Sequence, residues 1–321
     1  MLKWGPFCLL LVVLFPFSRA GAGNIQDVAR LKKAAAKGDD NAQFLLGLAY
    51  EFGRGVAMDL GEAAHWYHES AAVGNAGAQA HLGNLYAQGR GVARDEAVAL
   101  RWYLLAAVGG DSVAETNLGC MYFNGEAGLR RDSNEAARWF TRAAAQHNAL
   151  AEANLATLYF EGWGVTRDPE KAASFYLDAA RQGNLYAQSR LAWIYEHGVG
   201  RPQDLAESLR WNRAAAQRGY PSALNNLGYV YEHGLGVTKD VAEAARLYCK
   251  AAESGLVEAR QNWAGIRSSI SGMPEDCDSA ARWLANVDRH GLVSRSASVE
   301  AGPKVPDGQS IISAAPVFEE H

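Results

Sequence analysis

Two copies of one tetrapeptide, Tyr195-Glu196-His197-Gly198 and Tyr231-Glu232-His233-Gly234, set a carboxylate beside an imidazole twice in this chain. Glu and His together are the materials of proton transfer and of zinc ligation. Zinc needs its ligand nitrogens about 2.0–2.1 Å away, whereas packed helices lie about 8–10 Å apart. Four groups on two adjacent helices converge only with special rotamers, so helix-end and surface roles are expected and no metal ligand is assigned. His65, His68 and His81 do not recur and read as surface or packing residues. A second recurring pair joins acid to acid: Asp59/Glu62, Asp132/Glu135, Asp204/Glu207 and Asp240/Glu243. Paired carboxylates can do acid–base work, but this three-residue spacing is also that of a helix-capping box. No serine in the chain has lysine three residues on, and there is no Lys-Thr-Gly, so the serine-nucleophile signature of penicillin-recognising enzymes is missing. The glycine pairs, such as Gly89 and Gly91, lack the Lys-Ser/Thr partner of a phosphate-binding loop. The reading is therefore no catalytic residue, no metal and no cofactor.

The elements that carry these residues explain their spacing. A tyrosine recurs at Tyr50, Tyr86, Tyr122, Tyr159, Tyr195 and Tyr231. A glycine follows at Gly53, Gly89, Gly125, Gly162, Gly198 and Gly234, then an aspartate at Asp59, Asp95, Asp132, Asp168, Asp204 and Asp240. A period of about 36 residues means stacked helical units rather than one globular core. In the second copy Leu82 and Tyr86 share one helix face, and Gly89 stops that helix. The aspartates N-cap a second helix, and in four copies the following glutamate completes a capping box by reaching back to the cap. Asp168-Pro169 instead places proline at the first helical position. The second helix carries a ring pair: Trp66-Tyr67, Trp102-Tyr103, Trp139-Phe140, Phe175-Tyr176, then the weaker Trp211-Asn212 and Leu247-Tyr248. Alanines follow, and the helix ends at Gly74, Gly110, Gly183, Gly219 and Gly255, with His147 in that seat in the third copy. Residues 23–39 read as a half-unit cap and 257–291 as a degenerate seventh copy, in which Trp263-Ala264 replaces Leu-Gly.

The two ends differ from the repeats. Lys3, the apolar run from Phe7 to Phe17 and the small residues around Ala20 and Ala22 read as a signal peptide over residues 1–22, with an uncleaved membrane anchor as the alternative. The run is too short for an ordinary membrane span of about 20 residues. Residues 292–321, rich in Ser, Ala, Gly and Pro, read as a flexible tail. A formal net charge of −4 gives no basic footprint for nucleic acid. Past the leader stand Cys120, Cys249 and Cys277. Cys249 and Cys277 lie in neighbouring units, but their repeat positions differ by about two helical turns. Regular helices would hold their Cα atoms beyond bridging reach, so the spacing weighs against the bond and leaves it open.

The pattern Leu-Gly-x-x-Tyr-x-x-Gly-x-Gly-Val-x-x-Asp, then an aromatic pair, Ala-Ala and Gly, resembles the Sel-1-like repeat family of tetratricopeptide-like solenoids, over about residues 27 to 291. The resemblance implies an all-α, right-handed α/α superhelix, with six units over residues 40–256. It implies binding of a protein or peptide, in adaptors of signalling, envelope assembly, host contact or protein quality control. Some cysteine-rich relatives are associated with penicillin binding or β-lactamase activity, but their regular cysteine pairs are absent here. The expected function is a non-catalytic protein-interaction scaffold of the cell envelope, periplasmic or secreted, with no membrane span after leader cleavage. A secreted factor that contacts a host is the alternative, and a β-lactamase-like hydrolase a lower one. The partner is a protein or peptide, or else an envelope polysaccharide or peptidoglycan. First helices of such solenoids line the concave side. Positions that avoid the Leu/Gly/Tyr packing face then point into the groove: Phe44, Glu51, Asn84, Gln88, Phe123 and Asn124 early in the chain. Later the same positions hold Trp193, Glu196, His197, Asn225, Tyr229, Glu232 and His233. This later aromatic and polar stripe is the candidate binding site.

Overall fold

A computed structural model describes residues 28–269 and 272–290. The expected leader and tail lie outside the described residues. Among the described residues all regular structure is α-helical, and no helix is long and apolar enough to cross a membrane. The first helices of the six units are α2 (Asp40–Phe52), α4 (Ala76–Gln88), α6 (Ser112–Asn124), α8 (Ala149–Glu161), α10 (Leu185–His197) and α12 (Pro221–His233). Their second helices are α3 (Leu60–Ala72), α5 (Glu96–Val108), α7 (Ser133–Ala144), α9 (Pro169–Arg181), α11 (Leu205–Gln217) and α13 (Val241–Glu253). The half-unit α1 (Val28–Ala35) precedes them, and α14 (Val257–Ser269) and α15 (Cys277–His290) follow. From α1 to α14 each helix packs on the next in sequence, and α15 packs on α13. The first helices α2 and α4, and α4 and α6, also touch across units, which places these three on the inner side of the curve.

Every second helix starts at its expected aspartate, whose carboxylate accepts from backbone N–H groups two or three residues on. The capping box itself does not form. The N–H of each cap aspartate instead donates to the carbonyl of the repeat tyrosine, as from Asp59 to Tyr50 at 3.0 Å and from Asp240 to Tyr231 at 2.9 Å. This bond recurs in all six units and closes the loop between the paired helices, so the glutamates are released to their own helix. Glu62 and Glu207 accept from the indole N–H of Trp66 and Trp211, and Glu135 and Glu243 pair with Arg138 and Arg246. First helices have caps of their own, at Asp39, Asn75, Asp111, Asn148 and Asn184. Unit 6 has Tyr220 there without a side-chain bond and relies on Pro221.

In five of the six units the core is one buried ring set against a small residue. Tyr67, Tyr103, Phe140, Tyr176 and Tyr248 are fully or almost fully buried. A methyl group on Gly83 would stand 2.7 Å from the Tyr103 ring, and one on Gly119 2.5 Å from Phe140. Units 4 and 5 carry Ala156 and Ala192 at that position. In units 2, 4 and 5 the second loop glycine joins neighbouring units. Gly91 has φ +72, and a Cβ there would overlap the Leu60 carbonyl at the start of the preceding second helix.

The end of the array corrects one expectation. Cys249 and Cys277 form a disulfide with Cα atoms 5.4 Å apart. The spacing argument assumed that α15 occupies a regular second-helix seat. Instead α15 packs directly on α13, which brings its first residue beside the middle of that helix. Cys120 is free and buried.

Candidate partner-binding groove

The two tetrapeptides end α10 and α12 in the same way. The Trp193 and His197 rings, one turn apart, stack with centroids 4.4 Å apart at 20°, and Tyr229 and His233 lie 4.1 Å apart at 32°. A carbonyl oxygen can only accept, so Nδ1–H of His197 donates to Trp193 O and Nδ1–H of His233 to Tyr229 O, each at 3.0 Å. Each imidazole is thus held against the last turn of its own helix. Glu232 accepts from Tyr248 Oη at 2.8 Å, and Asn225 Oδ1 from Asn262 Nδ2 at 2.9 Å. Trp193, Glu196, His197, Asn225, Tyr229 and Glu232 are half-buried, and His233 is exposed. The Glu–His pairs do not gather as ligands. Among the described residues the one close group of potential metal ligands is Cys249, Glu253 and Cys277, two of them joined in the disulfide.

The early stripe is used internally. Glu51 is buried and accepts from Tyr67 Oη at 2.6 Å, with His81 Nδ1 at 3.0 Å and Arg90 at 3.6 Å. Burial would raise its carboxyl, but the His81 and Tyr67 hydrogen bonds and the Arg90 charge outweigh burial and hold it below the ordinary value. Asn84 Oδ1 accepts from both Tyr103 Oη and Asn117 Nδ2, and Phe123 is buried against Trp163. These positions lie on first helices, but Glu51, Asn84 and Phe123 are engaged in holding the helices and units together.

Sequence reasoning missed three features. The first is Arg190, whose guanidinium lies 4.9 Å from the Phe160 ring centre and 5.6 Å from that of Trp193, with Glu161 3.9 Å away. The second is a pair of buried acids. Gln43, Gln79 and Gln188 donate to the carbonyls of Ala35, Ala71 and Ala180. Units 3 and 4 carry Glu115 and Glu152 at that position, 1% and 2% exposed. Arg142 spans Glu115 and the Ala107 carbonyl, and Gln182 donates to Glu152 at 2.6 Å. Burial pushes both carboxyls up. The change from Gln to Glu at one repeat position was the available signal. The third is Asn212, in the seat of a core ring and 1% exposed.

Residues 40–75, 76–111, 112–148, 149–184, 185–220 and 221–256 each match the Sel1 repeat. The chain belongs to the Sel1 repeat family. Two solved structures resemble this Sel1 repeat protein. One is a protective antigen present in uropathogenic Escherichia coli strains, displaying an SLR fold, with a TM-score of 0.64 and 32% identity. That match covers 81% of this chain and 56% of the antigen, so the chain spans little more than half of that relative. The other is a Sel1 repeat protein from Oxalobacter formigenes, with a TM-score of 0.65, 31% identity, and coverage of 71% of this chain and 91% of that one. The curated proteins give no match. Sel1 repeat proteins generally serve as scaffolds for protein–protein interaction.

Proposed function

We propose that this Sel1 repeat protein is exported and acts as a non-catalytic scaffold of the cell envelope, holding a protein or peptide along the inner face of units 5 and 6. The observation that carries this reading is the ring-on-imidazole pair repeated in α10 and α12. Two half-buried aromatic rings beside polar groups are the kind of surface that anchors a partner. The early units hold their equivalents inside the fold. The test replaces Trp193 and Tyr229 with alanine together and follows partners captured by crosslinking in the native compartment. The expected result is loss of capture by a variant that still unfolds cooperatively, at a somewhat lower melting temperature because both rings pack against core clusters, and capture at the wild-type level would refute the site. The likeness to a protective antigen favours a second reading, a secreted factor that meets a host protein. Retention of the mature chain in the periplasm supports the envelope scaffold, and release into the medium supports the secreted factor.

A further inference from the structure

Unit 5 lacks a bond that comparable units keep. In units 1 and 6 the core tyrosine donates to a carboxylate on the paired first helix: Tyr67 to Glu51 at 2.6 Å and Tyr248 to Glu232 at 2.8 Å. In units 2 and 4 the tyrosine finds another oxygen, Tyr103 bonding Asn84 at 2.7 Å and Tyr176 bonding Thr157 at 2.8 Å. Unit 3 has no polar group on either side, and Phe140 and Phe123 share one apolar cluster. Unit 5 alone keeps the acid, Glu196, and loses the ring, for which Asn212 stands. An asparagine side chain ends far short of the place a tyrosine hydroxyl reaches.

Both groups are left without a side-chain partner among the described residues. Asn212 is 1% exposed, and neither its Oδ1 nor its Nδ2 has a partner. Buried polar groups without partners are rare in folded proteins, because each forfeits its water without recompense. Glu196 is half-buried, and burial pushes its carboxyl up against an opposing pull from His197. No side chain among the described residues hydrogen-bonds or ion-pairs with it. The contrast with its neighbours is one of charge. Glu161 has Arg190 within 4 Å, Glu207 has Arg210 and Glu243 has Arg246.

We propose that Glu196, left without a tyrosine donor because Asn212 fills the ring position of its unit, is the specificity point of the groove and takes a cationic side chain, arginine or lysine, from the bound peptide. A carboxylate only accepts, so its partner must donate, and a charged donor also offsets the cost of half-burying the carboxylate. Trp193 lies one turn earlier on the same helix face, where its half-buried ring gives the apolar stem of such a side chain a surface to lie along. The assignment rests on the inner face of units 5 and 6 being the binding surface.

The test reads a randomised decapeptide array with the full chain and with two variants, Glu196→Gln and Asn212→Tyr. The wild-type chain is expected to select peptides with Arg or Lys at one position. Glu196→Gln keeps the shape and removes the charge, and should weaken those peptides roughly tenfold or more, the loss of one charge-assisted hydrogen bond. Asn212→Tyr restores the core ring and its hydroxyl. Ala192 leaves room for it, since Ala156 accommodates Tyr176 in unit 4. That variant should lose the preference for basic peptides while its melting temperature rises, so loss of binding is separated from loss of fold. Binding without a basic preference, or a preference that survives Glu196→Gln, overturns the assignment and leaves the groove standing. Binding of no peptide at all overturns both. A lower melting temperature for Asn212→Tyr would show that the ring seat is otherwise filled, and it too overturns the assignment.

Discussion

Gly91 and Gly110 lie in the same unit with nearly the same backbone, φ +72 and +81, but alanine should affect them very differently. Left-handed backbone costs a non-glycine residue about 1–2 kcal/mol, and both substitutions incur that. At Gly110 nothing lies within 4 Å of an added Cβ. The chain itself uses a side chain in that seat, since His147 takes it in unit 3 with φ 58. At Gly91 the new Cβ would overlap the carbonyl of Leu60 and stand 2.7 Å from Leu60 Cβ. Two of the three nearest atoms are backbone, which cannot swing aside as a flexible side chain can. Overpacking of this kind adds about 1–3 kcal/mol. Gly110→Ala should therefore lose about 1–2 kcal/mol and Gly91→Ala about 2–5 kcal/mol, the sum of the two ranges. Urea unfolding of both variants measures the difference. Hydrogen exchange places it: Gly91→Ala should speed exchange at the start of α3 and in the loop before α5. Equal losses, or faster exchange confined to the end of α5, would refute the claim that the second loop glycine joins neighbouring units.

Two further outcomes follow from buried or crosslinked groups. The Cys249–Cys277 bridge spans a sequence separation of 28, for which loop entropy gives about 3–4 kcal/mol. Cys277→Ser should lose a similar amount, with faster exchange confined to α13, α14 and α15, and faster exchange along the whole array would contradict this. Burial first, with the Asp178 charge second, raises the Glu152 carboxyl against the pulls of His147 and Gln182. Its folded form therefore holds a proton more tightly than its unfolded form. The resulting penalty is present at neutral pH and disappears as pH falls through the raised value toward the ordinary value of about 4.3. Glu152→Gln should melt above wild type at pH 8, with the gap closing toward about pH 4, and a gap independent of pH would contradict the burial argument.

Much of the fold was legible because a solenoid writes its rules once per unit. The tyrosine, glycine and aspartate positions fixed both helices and their turn, and the ring pairs marked the core. What escaped depends on distances between units. The spacing of Asp59 and Glu62 suits a capping box, but the cap N–H is already taken by the Tyr50 carbonyl. Cys249 and Cys277 looked two turns out of register until α15 was seen to pack on α13. The groove residues lay on the expected helices, yet which were spoken for turned on partners one unit away. Glu51 is held by Tyr67, His81 and Arg90, while Glu196 lacks its tyrosine. Asn212 in the ring pair was visible in the sequence, but its meaning appeared only beside Glu196.

The disulfide also makes the array mechanically unequal along its length. Under tension, units bound only to their neighbours should let go one at a time. Each freed unit of about 36 residues lengthens the chain by roughly 120 Å. The residues between Cys249 and Cys277 form a covalent loop that force cannot unwind. A single molecule stretched from both ends should therefore show uniform steps and one short one, and that short step would report the redox state of its last turn of repeat.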